Sequence, residues 1–204
     1  MKEKYKKARD KDQDSSFTSK HWVNWNLRFI KTYRKIIGNR FKSKILDLGC
    51  GTNYFSKTCN KLGYTAEGID IECTDFEKDR LPYKNGTFNV VHLNAVIEHI
   101  KNPSNIMNEI KRVLKPNGIL IINTPNWQMD YKNVYNDPTH VKFYTPIGLK
   151  TLVEMFDFKS LFLEPALICK SNIYWRLPER IKWRICSLIK GGSKSILYIG
   201  EKNE

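Results

Sequence analysis

The chain has 204 residues, of which 41% are hydrophobic and 27% are charged, proportions that are typical of one globular domain and exclude wholesale disorder. No apolar run approaches the roughly 18 residues of a membrane-spanning helix, and the N-terminal residues contain no hydrophobic signal segment. We therefore expect a soluble, cytoplasmic protein with a single domain over 1–204. The formal net charge of +14 would suit an anionic partner such as nucleic acid, a phospholipid surface or a phosphorylated substrate.

The elements follow one another in a regular alternation. Residues 1–16 are mostly charged or polar and predict a loosely ordered lead-in, whereas 17–40 repeat apolar side chains at helical spacing and predict an N-terminal helix. Helical patterns then separate short apolar segments, and the predicted strands are 44–49, 65–70, 88–93 and 119–123. Such an alternation predicts a doubly wound α/β sheet with mostly right-handed crossovers.

A glycine-containing turn follows the first predicted strand. Ligands of such sheets bind beyond the carboxyl ends of the strands, and Gly49 and Gly51 would let the backbone turn there without a Cβ in the way. Asp70, at the end of the second strand, could accept hydrogen bonds from both hydroxyls of an adenosine ribose. The dinucleotide-binding fingerprint needs a further glycine where this chain has Tyr54. The pattern therefore favours another nucleoside cofactor.

The sequence D-L-G-C-G-T at 47–52 resembles the first motif of class I S-adenosylmethionine-dependent methyltransferases. Further segments of that family occur in the same order, namely L-P-Y at 81–83, G-T-F-N-V-V at 86–91, E-H-I at 98–100 and E-I-K-R-V-L-K-P-N-G at 109–118. The resemblance implies a Rossmann-like sheet of seven strands, mostly parallel, with an antiparallel C-terminal hairpin formed by 161–169 and 195–202. It also implies S-adenosyl-L-methionine as the cofactor.

The resemblance assigns cofactor contacts to matching positions. It implies that Asp47, Gly49 and Gly51 surround the methionine portion and that Asp70 holds the ribose. It also implies that Asp75 and Phe76 flank the adenine and that Asn94 and Ala95 lie near the sulfonium. Where the family often has a third glycine, this chain has Asn53. Asparagine tolerates the left-handed conformation better than most residues, so we expect an intact loop.

Two histidines are candidates for a general base, because both follow predicted strands at the cofactor edge of the sheet. His99 follows 88–93, and His140 lies in N-D-P-T-H-V-K-F-Y-T-P at 136–146, which resembles a stretch found in methyltransferases of polysaccharide and secondary-metabolite pathways. Asp137 could orient His140 and stabilise its charge as it accepts a proton. The alternative is that Asp137 and His140 only order the loop. We interpret His21 and His92 as structural histidines.

A metal ion is not expected. The resemblance to related quinone O-methyltransferases implies a Glu-x-x-Glu-His group at 95–99, whose carboxylates would bind a metal ion. This chain has Ala95 in place of the first glutamate, followed by Glu98 and His99. The loss of one carboxylate argues against a hard divalent ion and weakens a quinone assignment. The five cysteines form no C-x-x-C pair, which argues against a zinc site and a disulfide framework.

Three functions remain open at this point. The main interpretation is an O-methyltransferase that acts on a small-molecule or glycan-type hydroxyl acceptor. The high positive charge suggests an RNA methyltransferase instead, but there is no recognisable RNA-binding appendage, and the catalytic motifs of that class are missing after 88–93, so nucleic acid is not the expected partner. The third is a non-catalytic S-adenosylmethionine-binding module, against which the intact loop counts.

The segment 171–194 reads as a basic helical insertion before the last strand. Within 177–190, isoleucine and leucine residues fall on one helical face and basic residues fall elsewhere. The favoured interpretation is a helix that packs on the sheet edge. The alternative is an interfacial helix, with Trp175 and Trp183 in the headgroup zone, that contacts anionic lipid at the inner face of the membrane and meets a lipid-linked acceptor there.

Overall fold

A six-stranded sheet organises the chain in the computed structural model, which describes residues 19–41, 44–166, 181 and 195–203. The strands are β1 Lys44–Leu48, β2 Thr65–Ile69, β3 Phe88–Asn94, β4 Leu114–Pro125, β5 Phe158–Ala166 and β6 Ser195–Lys202. The helices are α1 Ser19–Ile37, α2 Tyr54–Lys61, α3 Ser104–Val113, α4 Trp127–Val134 and α5 Pro146–Glu154. The predicted lead-in lies outside the described residues, and so does the predicted basic helix except for residue 181.

The strand order confirms the predicted fold class. The order is β2-β1-β3-β4-β6-β5; β1 to β4 run parallel, and β6 pairs antiparallel with both β4 and β5. This is the Rossmann-like arrangement with a C-terminal antiparallel hairpin. Within the described residues, no helix combines the length and the apolar character that crossing a membrane requires.

The predicted count of seven strands is wrong for the described part of the chain, which has six. The stretch between β2 and β3 folds as consecutive turns, and side chains of α3 bind its carbonyl groups. Asn105 donates to the carbonyls of Phe76 and Asp79 at 3.1 and 2.9 Å. The Arg112 guanidinium donates to the carbonyls of Leu81 and Tyr83 at 3.0 and 2.7 Å. Carbonyls bound in this way do not need a neighbouring strand.

Helices cover both faces of the sheet. Successive strand residues point to opposite sides, so neighbouring side chains of one strand meet different helices. Ile45 packs with α1 and α2 on one face, whereas Leu46 and Leu48 pack with α3 and α5 on the other. Asp47 alternates in the same way, so it lies on the side of α1 and α2. The carboxyl ends of the four parallel strands meet at one edge, where the predicted site residues are found.

Candidate active site

The loop between β1 and α2 turns sharply through three left-handed residues. Gly49 and Gly51 have φ angles of +72° and +50°, and Asn53 has a φ of 63°, in a region that few side chains tolerate. Asn53 therefore adopts the conformation predicted for it in place of a third glycine. At Gly49 a Cβ atom would also overlap the side chain of Val96. This close approach explains why the first position of the turn requires glycine.

Asp70 connects this loop to the end of β2. Its Oδ2 accepts a hydrogen bond from the Gly51 amide at 2.6 Å, and its Oδ1 accepts one from the Ile71 amide at 2.7 Å. A carboxylate oxygen has two lone pairs, so each oxygen can still accept from a hydroxyl of a ligand. The arrangement fits the ribose contact that the sequence predicted, which stays a prediction.

Asp75 and Phe76 lie in the turns after β2. The Asp75 carboxylate accepts from the Glu77 amide at 3.0 Å, and the Asp75 amide donates to Asp79 Oδ2 at 2.8 Å. Phe76 is a core residue whose surface is 2% exposed. Asp75 therefore shapes the turn and Phe76 anchors it, and their contact with an adenine stays a prediction.

Asn94 and Ala95 end β3 beside β4. Asn123 pairs with Asn94 in the parallel register. Its side-chain amide donates to Asn94 Oδ1 at 2.6 Å, and its main-chain carbonyl accepts from the Ala95 amide at 2.8 Å. These bonds hold Ala95 at a φ of 55°, which is unusual for a residue other than glycine and costs free energy. Such backbone strain is concentrated at functional sites.

The two candidate bases lie side by side, with ring centroids 4.9 Å apart. Nδ1 of His99 is 3.1 Å from the Thr139 carbonyl, and Nδ1 of His140 is 2.8 Å from the Val134 carbonyl. A carbonyl only accepts, so Nδ1 of His140 donates and Nε2 carries the lone pair of the neutral ring. Asp137 Oδ2 is 3.7 Å from that Nε2.

The Asp137 carboxylate lies near the His140 ring and is hydrogen-bonded by Thr139. Its Oδ1 accepts from both the amide and the hydroxyl of Thr139, which fixes the loop. Partial burial raises the pKa of Asp137, but the Thr139 hydrogen bonds and the nearby His140 and His99 outweigh burial and leave that pKa below its usual value. Orientation of His140 by Asp137 stays a prediction, and the structure adds a second partner for the ring, the Val134 carbonyl, a backbone group that no sequence signal marks.

Glu98 joins the loop after β3 to the loop that carries His140. The Glu98 carbonyl accepts from the amides of Val141 and Lys142, both at 3.0 Å. Its side chain is buried, Oε2 accepts from the Thr124 hydroxyl at 3.0 Å, and Oε1 has no hydrogen-bond partner within the described residues. Burial raises the pKa of Glu98 to about 7. From the sequence, Glu98 is part of the family-like E-H-I segment and of an incomplete metal motif, and neither pattern predicts these contacts.

Glu98, His99 and His140 each offer a ligand atom, and these atoms lie within 4.8 Å of one another. Imidazole nitrogens and a carboxylate are a donor set that can hold a divalent ion. The methyl group of Ala95 supplies no ligand, which was the reason for expecting no metal. That expectation stays a prediction.

Comparisons with known proteins agree with this geometry. Residues 19–161 match the profile of a family described as methyltransferase domain. Among curated relatives, a ubiquinone biosynthesis O-methyltransferase of Actinobacillus pleuropneumoniae serotype 5b is 29% identical, and the match covers 56% of this chain and 58% of the relative. One with the same name from Thiobacillus denitrificans is 26% identical over 56% of this chain and 57% of the relative. The chain thus spans less than two thirds of these relatives.

Solved structures share the fold. A protein from Archaeoglobus fulgidus, described as a SAM-dependent methyltransferase, has a TM-score of 0.58 and 20% identity, covering 87% of this chain and 94% of its own. An S-adenosylmethionine-dependent methyltransferase from Mesorhizobium loti has a TM-score of 0.62 and 12% identity, covering 84% and 96%. At these identities the likeness shows the fold.

Proposed function

We propose that this chain, which belongs to the methyltransferase domain family, transfers the methyl group of S-adenosylmethionine to a hydroxyl oxygen of a small organic acceptor. The observation that carries the proposal is the pairing of His140 Nε2 with the Asp137 carboxylate, 3.7 Å away. A hydroxyl oxygen becomes a strong nucleophile when a base removes its proton. The site provides such a base beside the strand ends that would hold the cofactor.

The residues of the loop fit the proposed cofactor. Asp47, Gly49 and Gly51 would hold the methionine portion, and Asp70 would accept hydrogen bonds from the ribose, since both of its oxygens keep a free lone pair. Asn94 and Ala95 would lie near the sulfonium. When bound, S-adenosylmethionine supplies an electrophilic methyl group.

The chain's own groups perform the proton transfer. Nε2 of His140 takes the proton of the acceptor hydroxyl while Nδ1–H stays on the Val134 carbonyl. The ring is then positively charged, and the Asp137 carboxylate stabilises that charge. The oxygen that has lost its proton would then be able to accept the methyl group that bound S-adenosylmethionine would supply, and the sulfur would leave as a neutral thioether with the electron pair of the broken bond. Orientation of the acceptor in line with that bond supplies the rest of the rate.

The acceptor is proposed to carry its hydroxyl on a ring. Trp127, Tyr131, Tyr135 and Phe143 lie in α4 and the loop around His140, and all four are exposed. Tyr135 and Phe143 have ring centroids 4.8 Å apart. Exposed aromatic faces suit an aromatic ring or the apolar face of a sugar. The named relatives act in ubiquinone biosynthesis, which supports a phenolic acceptor, and a glycan-type hydroxyl is the second acceptor of the same chemistry.

A methyl-transfer assay tests the proposal. The purified chain would be incubated with S-adenosylmethionine carrying a radiolabelled methyl group and with three separate pools, namely phenols, glycans and RNA. We expect label on hydroxyl oxygens of the phenol or glycan pool in wild type and in His21→Ala, whose exposed position on α1 makes it a control. Little label is expected with His140→Ala. Label that appears in RNA or on nitrogen would overturn the proposal.

A membrane-bound, lipid-linked acceptor would require the contact predicted for 177–190. Only residue 181 of that segment is among the described residues, so the contact stays a prediction. Sedimentation of the protein with anionic liposomes at low ionic strength tests it. Replacement of Arg180, Lys182 and Arg184 by glutamine should release the protein, because each charge near such a surface is worth about 1 kcal/mol.

A further inference from the structure

A buried histidine, His92, connects the end of β1 to the N-terminal helix α1. His92 lies opposite Asp47 in the parallel register of β1 and β3. Its Nδ1 is 2.8 Å from Asp47 Oδ1, and its Nε2 is 3.2 Å from the hydroxyl oxygen of Tyr33 on α1. The relative exposures of Tyr33, Asp47 and His92 are 0%, 4% and 2%, so water does not replace these partners.

The chemistry of the three groups gives both hydrogen bonds a direction when Asp47 is ionised and the ring is neutral. The carboxylate then only accepts, so Nδ1 of His92 carries the proton that bonds Asp47. Burial raises the pKa of the Tyr33 hydroxyl well above its usual range, so Tyr33 keeps its proton and can donate it to Nε2. Burial raises the pKa of Asp47, and the hydrogen bond with His92 counteracts that effect. The two hydrogen bonds therefore link Tyr33, His92 and Asp47 in one buried chain.

Packing fixes the plane of the ring. Phe55, in the first turn of α2, stacks on His92 with ring centroids 3.9 Å apart and an angle of 15° between the planes. Hydrogen-bond partners at both nitrogens and a ring stacked on one face restrict the orientation of the imidazole. The Asp47 oxygen in contact with Nδ1 belongs to the residue two positions before Gly49.

We propose that His92, supported by Tyr33, is a positioning residue that aims the Asp47 carboxylate at the methionine portion of S-adenosylmethionine. The inference rests on the proposed function, because it takes Asp47 as a cofactor contact. A histidine that served packing alone would not need to bond the carboxylate next to the glycine turn. The arrangement also explains why a carboxylate is tolerated at a buried strand position, where an unpaired charge is costly.

Affinities for two ligands distinguish a positioning role of His92 from a general effect on the stability of the domain. S-adenosylmethionine contains the methionine portion, whereas 5′-methylthioadenosine contains the same nucleoside without the amino-acid end. Calorimetric affinities for both would be measured on full-length wild type, His92→Leu, Tyr33→Phe and His92→Asn. The Asn side chain can still donate one amide N–H toward Asp47. Thr58→Val is the matched control, because Thr58 is a buried hydroxyl that bonds the Tyr54 carbonyl within α2.

We expect His92→Leu to weaken S-adenosylmethionine binding by about ten- to hundredfold and to leave 5′-methylthioadenosine affinity within about twofold of wild type. Tyr33→Phe should show a smaller loss with the same selectivity, and it remains informative if His92→Leu does not fold. His92→Asn should recover part of the loss, and Thr58→Val should bind both ligands normally. Equal losses for the two ligands, or unchanged S-adenosylmethionine affinity in both His92→Leu and Tyr33→Phe, would overturn the proposal.

The same data distinguish this inference from the proposed function. Positioning is measured by binding alone, whereas the proposed function requires transfer to a hydroxyl oxygen. A wild-type chain that binds S-adenosylmethionine selectively through His92 but methylates no hydroxyl supports the inference and refutes the acceptor assignment. A wild-type chain that does not bind S-adenosylmethionine refutes both.

Discussion

The main-chain carbonyl of Val134 lies 2.8 Å from Nδ1 of His140, and this single contact decides which nitrogen can act as a base. Because the carbonyl holds the Nδ1 proton, the lone pair of the neutral ring is on Nε2. Val134 is the last residue of α4. The position of α4 relative to the strand ends therefore sets the direction of the proposed base.

His140→Ala should reduce turnover much more than cofactor binding. Loss of a general base lowers kcat by about 10²–10⁴, whereas the cofactor contacts are assigned to the β1, β2 and β3 ends. Steady-state kinetics give the first quantity and calorimetry with S-adenosylmethionine gives the second. Full activity in this variant would leave the loop a structural role and make His99 the candidate base.

Asp70→Ala should weaken S-adenosylmethionine binding by about ten- to hundredfold, equivalent to about 1.5–3 kcal/mol. The variant loses the proposed ribose acceptor and also the bond that holds the Gly51 amide. Glu201→Ala is the control, because Glu201 pairs with Arg40 and lies opposite Ile119, away from the carboxyl ends of the strands. Titration calorimetry measures both. The ribose assignment is wrong if Asp70→Ala binds like wild type.

The parallel part of the fold could be predicted because its signals are local. The predicted strands at 44–49, 65–70 and 88–93 overlap β1, β2 and β3 closely, since buried parallel strands are short apolar runs. That the described residues form six strands and not seven could not be predicted from local pattern. Asn105 and Arg112 bind the carbonyls of the stretch between β2 and β3, and these are contacts between residues far apart in sequence.

The site could be predicted to the level of side chains but not of their partners. The glycine turn and the left-handed Asn53 follow from residue type, because few residues tolerate a positive φ. His92 was interpreted as structural, since its apolar sequence neighbours resemble a core strand. Its bonds to Asp47 and Tyr33 depend on the register of β1 against β3 and on the packing of α1, which no single motif encodes.

Gly49→Ala should destabilise the domain more than Gly63→Ala. Both glycines have a positive φ, +72° and +84°, so both variants pay about 1–2 kcal/mol for the left-handed conformation. The new Cβ would also overlap Val96 at position 49, whereas it meets nothing within 4 Å at position 63. Overpacking should add about 1–3 kcal/mol. Denaturant unfolding measures the difference, and equal losses would contradict the close approach to Val96.

Glu98→Gln should flatten the dependence of stability on pH. The pKa of Glu98 is raised from 4.5 to about 7 in the folded chain, so the folded state binds this proton more tightly than the unfolded state. The free energy of unfolding of wild type should therefore fall as pH rises from 4.5 to about 7, by about 3 kcal/mol from this group.

Glutamine at position 98 is neutral throughout and can still accept from the Thr124 hydroxyl. The exposed Glu154→Gln is the control. Denaturant midpoints at about pH 5 and pH 8 measure the effect, and a wild type that loses no more stability over this range than Glu98→Gln would show that the buried carboxyl titrates normally.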